Sequence, residues 1–63
     1  MKAATVTGSI PTKRVRVEEI AETDTDEEIL ECALRFAGEN RSSLFGWRVD
    51  RFGDVATVSL YTD

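Results

Sequence analysis

The sequence predicts an α+β domain in which one helix packs on a four-stranded sheet, with the element order ββαββ. Three observations carry that expectation. Two period-2 runs of apolar and polar residues precede residue 19, one amphipathic run with helix-capping chemistry fills the middle, and two more period-2 runs flank a Gly-Asp pair near the end. With 63 residues there is room for one domain and a small core. The hydrophobic fraction of 41% and its regular spacing argue for a folded chain despite 32% charged residues.

The elements follow in order. Val6, Gly8 and Ile10 alternate with Thr5, Thr7 and Ser9, predicting a first strand over residues 3–10. A second alternation, Arg14-Val15-Arg16-Val17-Glu18, places both valines on one face and the charges on the other. Gly8-Ser9 and Pro11-Thr12 are alternative turns, so the register of this first hairpin stays open. Thr25 followed three residues later by Glu28 forms a capping box, and the helix is expected from about Asp26 to Ala37 with Gly38 as its stop. At about 100° per residue, Ile29, Leu30, Ala33, Phe36 and Ala37 gather on one side with Leu34 at the margin, opposite Glu27, Glu28, Glu31 and Arg35. Cys32 lies at the stripe's boundary.

A two-residue turn at Gly53-Asp54 opposes Phe52 to Val55, Arg51 to Ala56, Val49 to Val58 and Trp47 to Leu60. One face of this second hairpin then carries Phe45, Trp47, Val49, Ala56, Val58 and Leu60, and Trp47, Phe36 and Phe45 are expected in the core. Gly46, Arg48, Asp50, Phe52, Val55, Thr57, Ser59 and Tyr61 share the other face. Charged residues protect exposed sheet edges, and the first and fourth strands lack them. That reasoning predicts the strand order 2-1-4-3, a mixed sheet with the first and fourth strands central and parallel and the helix as the crossover.

Two hairpins flanking one helix, with a third strand reading Gly46-Trp47-Arg48-Val49-Asp50, resemble the β-grasp fold, in particular the immunoglobulin-binding domains of the protein G type. The resemblance covers nearly the whole chain at the level of pattern. It does not extend to two functions that the fold carries. The Gly-Gly tail of ubiquitin-like modifiers is replaced by Leu60-Tyr61-Thr62-Asp63, and the four cysteines of plant-type ferredoxins are reduced to Cys32.

Charge is sorted along the chain. Eight carboxylates (Glu18, Glu19, Glu22, Asp24, Asp26, Glu27, Glu28 and Glu31) fall between residues 18 and 31 without a single Lys or Arg, and the formal net charge is −4. There is no histidine, no second cysteine, no Gly-rich phosphate loop and no metal-ligand spacing, so no catalytic residues, metal or cofactor are assigned and an enzyme is not expected. No apolar run is long enough for a signal peptide or a membrane span, which points to the cytoplasm, or to the host cytoplasm for a phage-encoded chain. The chain begins with Met1 and shows no linker, as a complete small gene product does.

Asp24, Asp26, Glu27 and Glu28 sit where a helix N-terminus favours carboxylates, which accounts for half of the cluster by local stability. The first functional expectation is a non-enzymatic interaction module that docks Glu18, Glu19, Glu22, Glu27, Glu28 and Glu31 onto a basic, nucleic-acid-binding surface of a larger protein. In class it resembles the small acidic inhibitors of phages and mobile elements, including anti-CRISPR and other DNA-mimic proteins. The alternative site is the sheet face away from the helix, with Arg14, Arg16, Arg48 and Tyr61 interleaving cations and an aromatic ring as single-stranded nucleic acid requires. Two things weigh against it, the negative net charge and a strand order that separates the arginines on opposite edges. A third class is a structural homodimer built through the edge strands and Phe52, so the expected state is monomer or homodimer.

Overall fold

The computed structural model describes residues 1–9 and 11–62. Strands β1 (Lys2–Ser9) and β2 (Thr12–Glu18) form the first hairpin, α1 (Asp26–Ala37) follows, and a single 3₁₀ turn (Arg41–Ser43) leads into the hairpin of β3 (Leu44–Phe52) and β4 (Val55–Thr62). The α+β class and the ββαββ element order are as expected. The expectation for Ile10 lies outside the described residues.

Local chemistry explains each boundary. Thr25 Oγ1 accepts from the Glu28 amide at 3.2 Å while Glu28 Oε1 accepts from the Thr25 amide at 3.1 Å, completing the capping box. Gly38 closes α1 in the left-handed conformation, and the Glu39 amide donates to Leu34 O at 2.9 Å. The β3–β4 register is as predicted from Phe52↔Val55 to Trp47↔Leu60, turning at Gly53 with φ 66°. In the first hairpin Ser9 opposes Thr12 and Gly8 opposes Lys13, so neither dipeptide proposed from sequence is the turn.

The strand order departs from expectation. It is β1-β2-β4-β3, antiparallel throughout, with β2 and β4 central and β1 on an edge. The order 2-1-4-3 and its parallel central pair are therefore corrected, and the likeness to the β-grasp stops at the element order. The physical reason is the direction of the charges. Arg14 and Arg16 project from β2 to the open face, where a central strand carries charge in water at little cost, while Val15 and Val17 on its other face are fully buried. On its inward face β1 offers only Ala3, Val6 and Gly8, little apolar bulk for a central place in the sheet.

The core joins Val15, Val17, Ala56, Val58 and Leu60 of the sheet to Ile29, Leu30, Ala33 and Leu34 of α1, with Ile20 at one end. Burying each of the valine, leucine and isoleucine side chains contributes roughly 1.5–3 kcal/mol. Two aromatic expectations fail. Phe45 is 78% exposed because the β3–β4 register shifts between Leu44 and Gly46, which removes Phe45 from the inward alternation. Phe36 is 48% exposed, and Leu34, expected at the margin, is buried. The buried stripe is centred further round the helix, leaving Phe36 about 90° from its middle at 3.6 residues per turn. Trp47 is half-buried against the core.

Candidate functional site

The sheet face turned away from α1 is built by strict alternation across four strands. In one cross-strand row Arg14, Ser59 and Arg48 stand side by side, and in the next Arg16, Thr57 and Asp50 do. Toward one end Thr12, Tyr61 and Gly46 form a row, and toward the other Val55 faces Phe52. With β4 between β2 and β3, Arg14 and Arg48 are two strand spacings apart, roughly 10 Å. Ser59 between them is only 5% exposed. The arginines that the predicted order placed on opposite edges thus share one patch.

Their charge states of engagement differ. Arg16 Nε donates to Glu18 Oε2 at 3.0 Å and Arg48 Nε donates to Asp50 Oδ1 at 3.0 Å, both exposed pairs. Each contact uses one nitrogen and leaves most of the guanidinium fork open. Arg14 has no ion-pair partner among the described residues. Lys2 lies opposite Glu18 in the same outward phase. Four cations against Glu18 and Asp50 give the face two positive charges in excess, while the whole chain is at −4.

An aromatic ring sits at each end of the patch. Tyr61 is 38% exposed and packs beside Gly46, where a Cβ would make ordinary van der Waals contact with the ring at 3.9 Å from Tyr61 Cδ2. Phe52 is 90% exposed. Six residue steps along β4 separate the levels of Tyr61 and Val55, about 20 Å at strand rise.

The acidic segment is arranged quite differently. Glu18 is paired with Arg16, Asp26 with Arg51 at 3.3 Å, and Glu27 with Arg41. Asp24 accepts from the Ala21 amide at 2.8 Å and Glu28 is consumed by the capping box. Arg51 also donates to the Asp24 carbonyl. Of the six carboxylates proposed from sequence for docking, only Glu19, Glu22 and Glu31 are exposed without an ion-pair or hydrogen-bond partner among the described residues.

Arg41 joins the helix to the sheet. Its guanidinium lies 5.7 Å from the centre of the Trp47 ring while pairing with Glu27. The hydrogen bond to Glu27 and then that carboxylate's charge hold the Arg41 group above its ordinary pKa, with Glu31 adding and desolvation opposing. At the opposite end of α1 Lys13 Nζ meets Glu39 Oε1 at 2.7 Å, the least exposed ion pair of those described.

Sequence reasoning placed Ser59 on the open face but missed one member of it, Lys2. Only the true strand order sets Ser59 between Arg14 and Arg48. Lys2 joins through a register shift between Ala3 and Thr5, and two consecutive alanines give no sign of which turns inward. Among the described residues no three of His, Cys, Asp and Glu stand close enough to hold a metal ion, and no helix is long and apolar enough to cross a membrane. No protein-family model, curated protein or solved structure matches the chain.

Proposed function

We propose that this chain is a non-enzymatic binding module whose open sheet face engages single-stranded nucleic acid. The observation that carries the reading is the Arg14–Ser59–Arg48 row, flanked by Arg16 and bounded by Tyr61 and Phe52. Arginines placed between aromatic rings offer phosphate neutralisation and base stacking on one surface, the two contributions that sequence-tolerant single-strand binding needs. The negative net charge, which weighed against this reading in the sequence, is concentrated in the acidic segment rather than on this face.

The test is fluorescence anisotropy with a labelled single-stranded oligonucleotide over a salt series. Three arginines on phosphates predict a slope of log K against log salt near −2, at about −0.7 per contact, and Arg14→Ala or Arg48→Ala each removes one contact's share. Tyr61→Ala lowers affinity by the ~1–3 kcal/mol of one stacked base, while Tyr61→Phe retains it. No binding at about 50 mM salt, or binding indifferent to these substitutions, overturns the reading.

A second reading keeps the acidic segment as the working surface of an inhibitor or regulator that occupies a basic site on a larger protein, in the manner of a DNA mimic. It is favoured by the five negative charges left when eight carboxylates are set against three paired arginines. Glu27 and Glu28 are poor positions for testing it, because they hold Arg41 and the helix cap. Glu19, Glu22 and Glu31 are the residues to reverse. Loss of a basic protein partner by that triple Lys variant supports this reading, and retention of the partner defeats it.

A further inference from the structure

The open face is divided lengthwise by charge. Its β1–β2 half carries Lys2, Arg14 and Arg16 against Glu18 alone, so both of the positive charges in excess lie there. On its β3–β4 half Arg48 is balanced by Asp50, and this half holds both aromatic rings, Tyr61 on β4 and Phe52 on β3. A single strand on this face has its phosphates drawn toward β2 and its bases toward β3.

Asp50 is out of place on a surface that attracts phosphate alone. A cation at that position of an edge strand would protect the edge equally well and add to phosphate affinity, whereas a carboxylate repels phosphate. Its surroundings also differ from those of Glu18, which has Arg16 beside it and Lys2 opposite. Asp50 has Arg48 on one oxygen, with Oδ1 at 3.0 Å from Nε, and the uncharged Thr57 as its cross-strand neighbour. Its other oxygen makes no hydrogen bond among the described residues, and the side chain is 52% exposed. The ion pair holds the carboxylate in place while leaving acceptor capacity open to a ligand. Phe52 stands two residues along the same face, roughly 7 Å at strand rise, a spacing at which a base stacked on the ring turns its edge to the carboxylate.

We infer that Asp50 is a base-reading residue and that the base it selects is guanine, which rests on the single-strand reading proposed above. An ionised carboxylate only accepts hydrogen bonds. Guanine alone among the common bases presents two adjacent N–H donors on its Watson–Crick edge, N1–H and the 2-amino group, and single-stranded bases are read on that edge. Adenine and cytosine set a ring-nitrogen acceptor beside their amino group, and thymine and uracil flank one N–H with two carbonyls, so each of these turns lone pairs toward Asp50. Arg48 is the positioning residue for Asp50, and the guanidinium nitrogens it does not spend there remain for a phosphate.

Fluorescence anisotropy at one low salt concentration tests the inference, comparing a short oligothymidine with the same strand carrying one central guanine, hypoxanthine or 7-deazaguanine. The expected result is tighter binding of the guanine strand by about 5- to 150-fold, the discrimination of one bidentate pair. Hypoxanthine, which lacks the 2-amino group, loses most of that preference, and 7-deazaguanine, with its Watson–Crick edge intact, keeps it. Asp50→Asn, at an exposed position of an edge strand, removes the preference yet binds oligothymidine at least as tightly as wild type, because one negative charge has left the face. A carboxylate that only repelled phosphate would give the same gain on both strands. That equal gain, or salt-dependent binding that needs Tyr61 but treats guanine and thymine strands alike, or a guanine preference that survives Asp50→Asn, overturns the inference and leaves the single-strand reading standing. Binding of neither strand overturns both.

Discussion

Gly8 and Gly53 have similar left-handed backbones, φ 77° and 66°, yet their surroundings differ in a way that alanine substitution can measure. A Cβ at Gly53 meets nothing within 4 Å, whereas at Gly8 it would lie 2.8 Å from the Thr12 carbonyl oxygen, a backbone atom that cannot swing aside. Holding an L-residue in this conformation costs roughly 1–2 kcal/mol, offset by about 0.4–1 kcal/mol from restricting the unfolded chain. Gly53→Ala should therefore destabilise by about 0.5–1 kcal/mol. Gly8→Ala adds the displacement of the first hairpin, a further 1–3 kcal/mol or so by analogy with overpacking, for a total near 2–4 kcal/mol. At about 2.1 cal/mol/K per residue the unfolding entropy of 63 residues is near 0.13 kcal/mol/K, so each kcal/mol moves Tm by about 8 °C. Thermal unfolding followed by circular dichroism should place Gly53→Ala some 4–8 °C below wild type and Gly8→Ala some 15–30 °C below. Equal losses within about 0.5 kcal/mol would refute the reasoning, because the contact with Thr12 would then relax at no cost.

Three further outcomes follow from the same structure. Thr25→Ala removes the acceptor for the Glu28 amide and should lower stability by about 1 kcal/mol, read as a Tm loss near 8 °C. Val58→Ala, fully buried between Val15 and Val49, deletes two methyl groups and should lose roughly 2–3 kcal/mol in urea unfolding with an unchanged m-value. Because the Arg41 pKa is raised by Glu27, the pair's contribution is fully present below arginine's ordinary value and is lost only as pH rises through the still higher folded value. The difference in Tm between wild type and Arg41→Gln should accordingly stay constant from about pH 7 to 10, and a difference that shrinks across that window would contradict the assignment.

Short-range chemistry makes much of this molecule legible in its sequence. Thr25, Glu28 and Gly38 specify both ends of α1 because capping is satisfied within a few residues. Gly53-Asp54 specifies the register from Phe52↔Val55 to Trp47↔Leu60 because a two-residue turn leaves only one alignment that keeps the apolar side chains together. Those same pairings assigned Arg48 and Tyr61 to one face in advance. The acidic segment was legible as a charge pattern, but its use was not. Arg16, Arg41 and Arg51 reach Glu18, Glu27 and Asp26, and for the latter two the partners are 14 and 25 positions away in sequence.

Alone, the sequence determined the ββαββ order, the capped helix and the outward direction of Arg14, Arg16, Arg48 and Tyr61, since each depends on residues a few positions apart. Only the tertiary structure decided that β2 rather than β1 lies beside β4, because that choice turns on how much apolar bulk each strand brings to the core, Val15 and Val17 from β2 against Ala3 from β1. From it came the arginine row across Ser59. Charge on a strand is silent about its place in a sheet until the face that carries it is known, and a face becomes a site only when its neighbours are fixed.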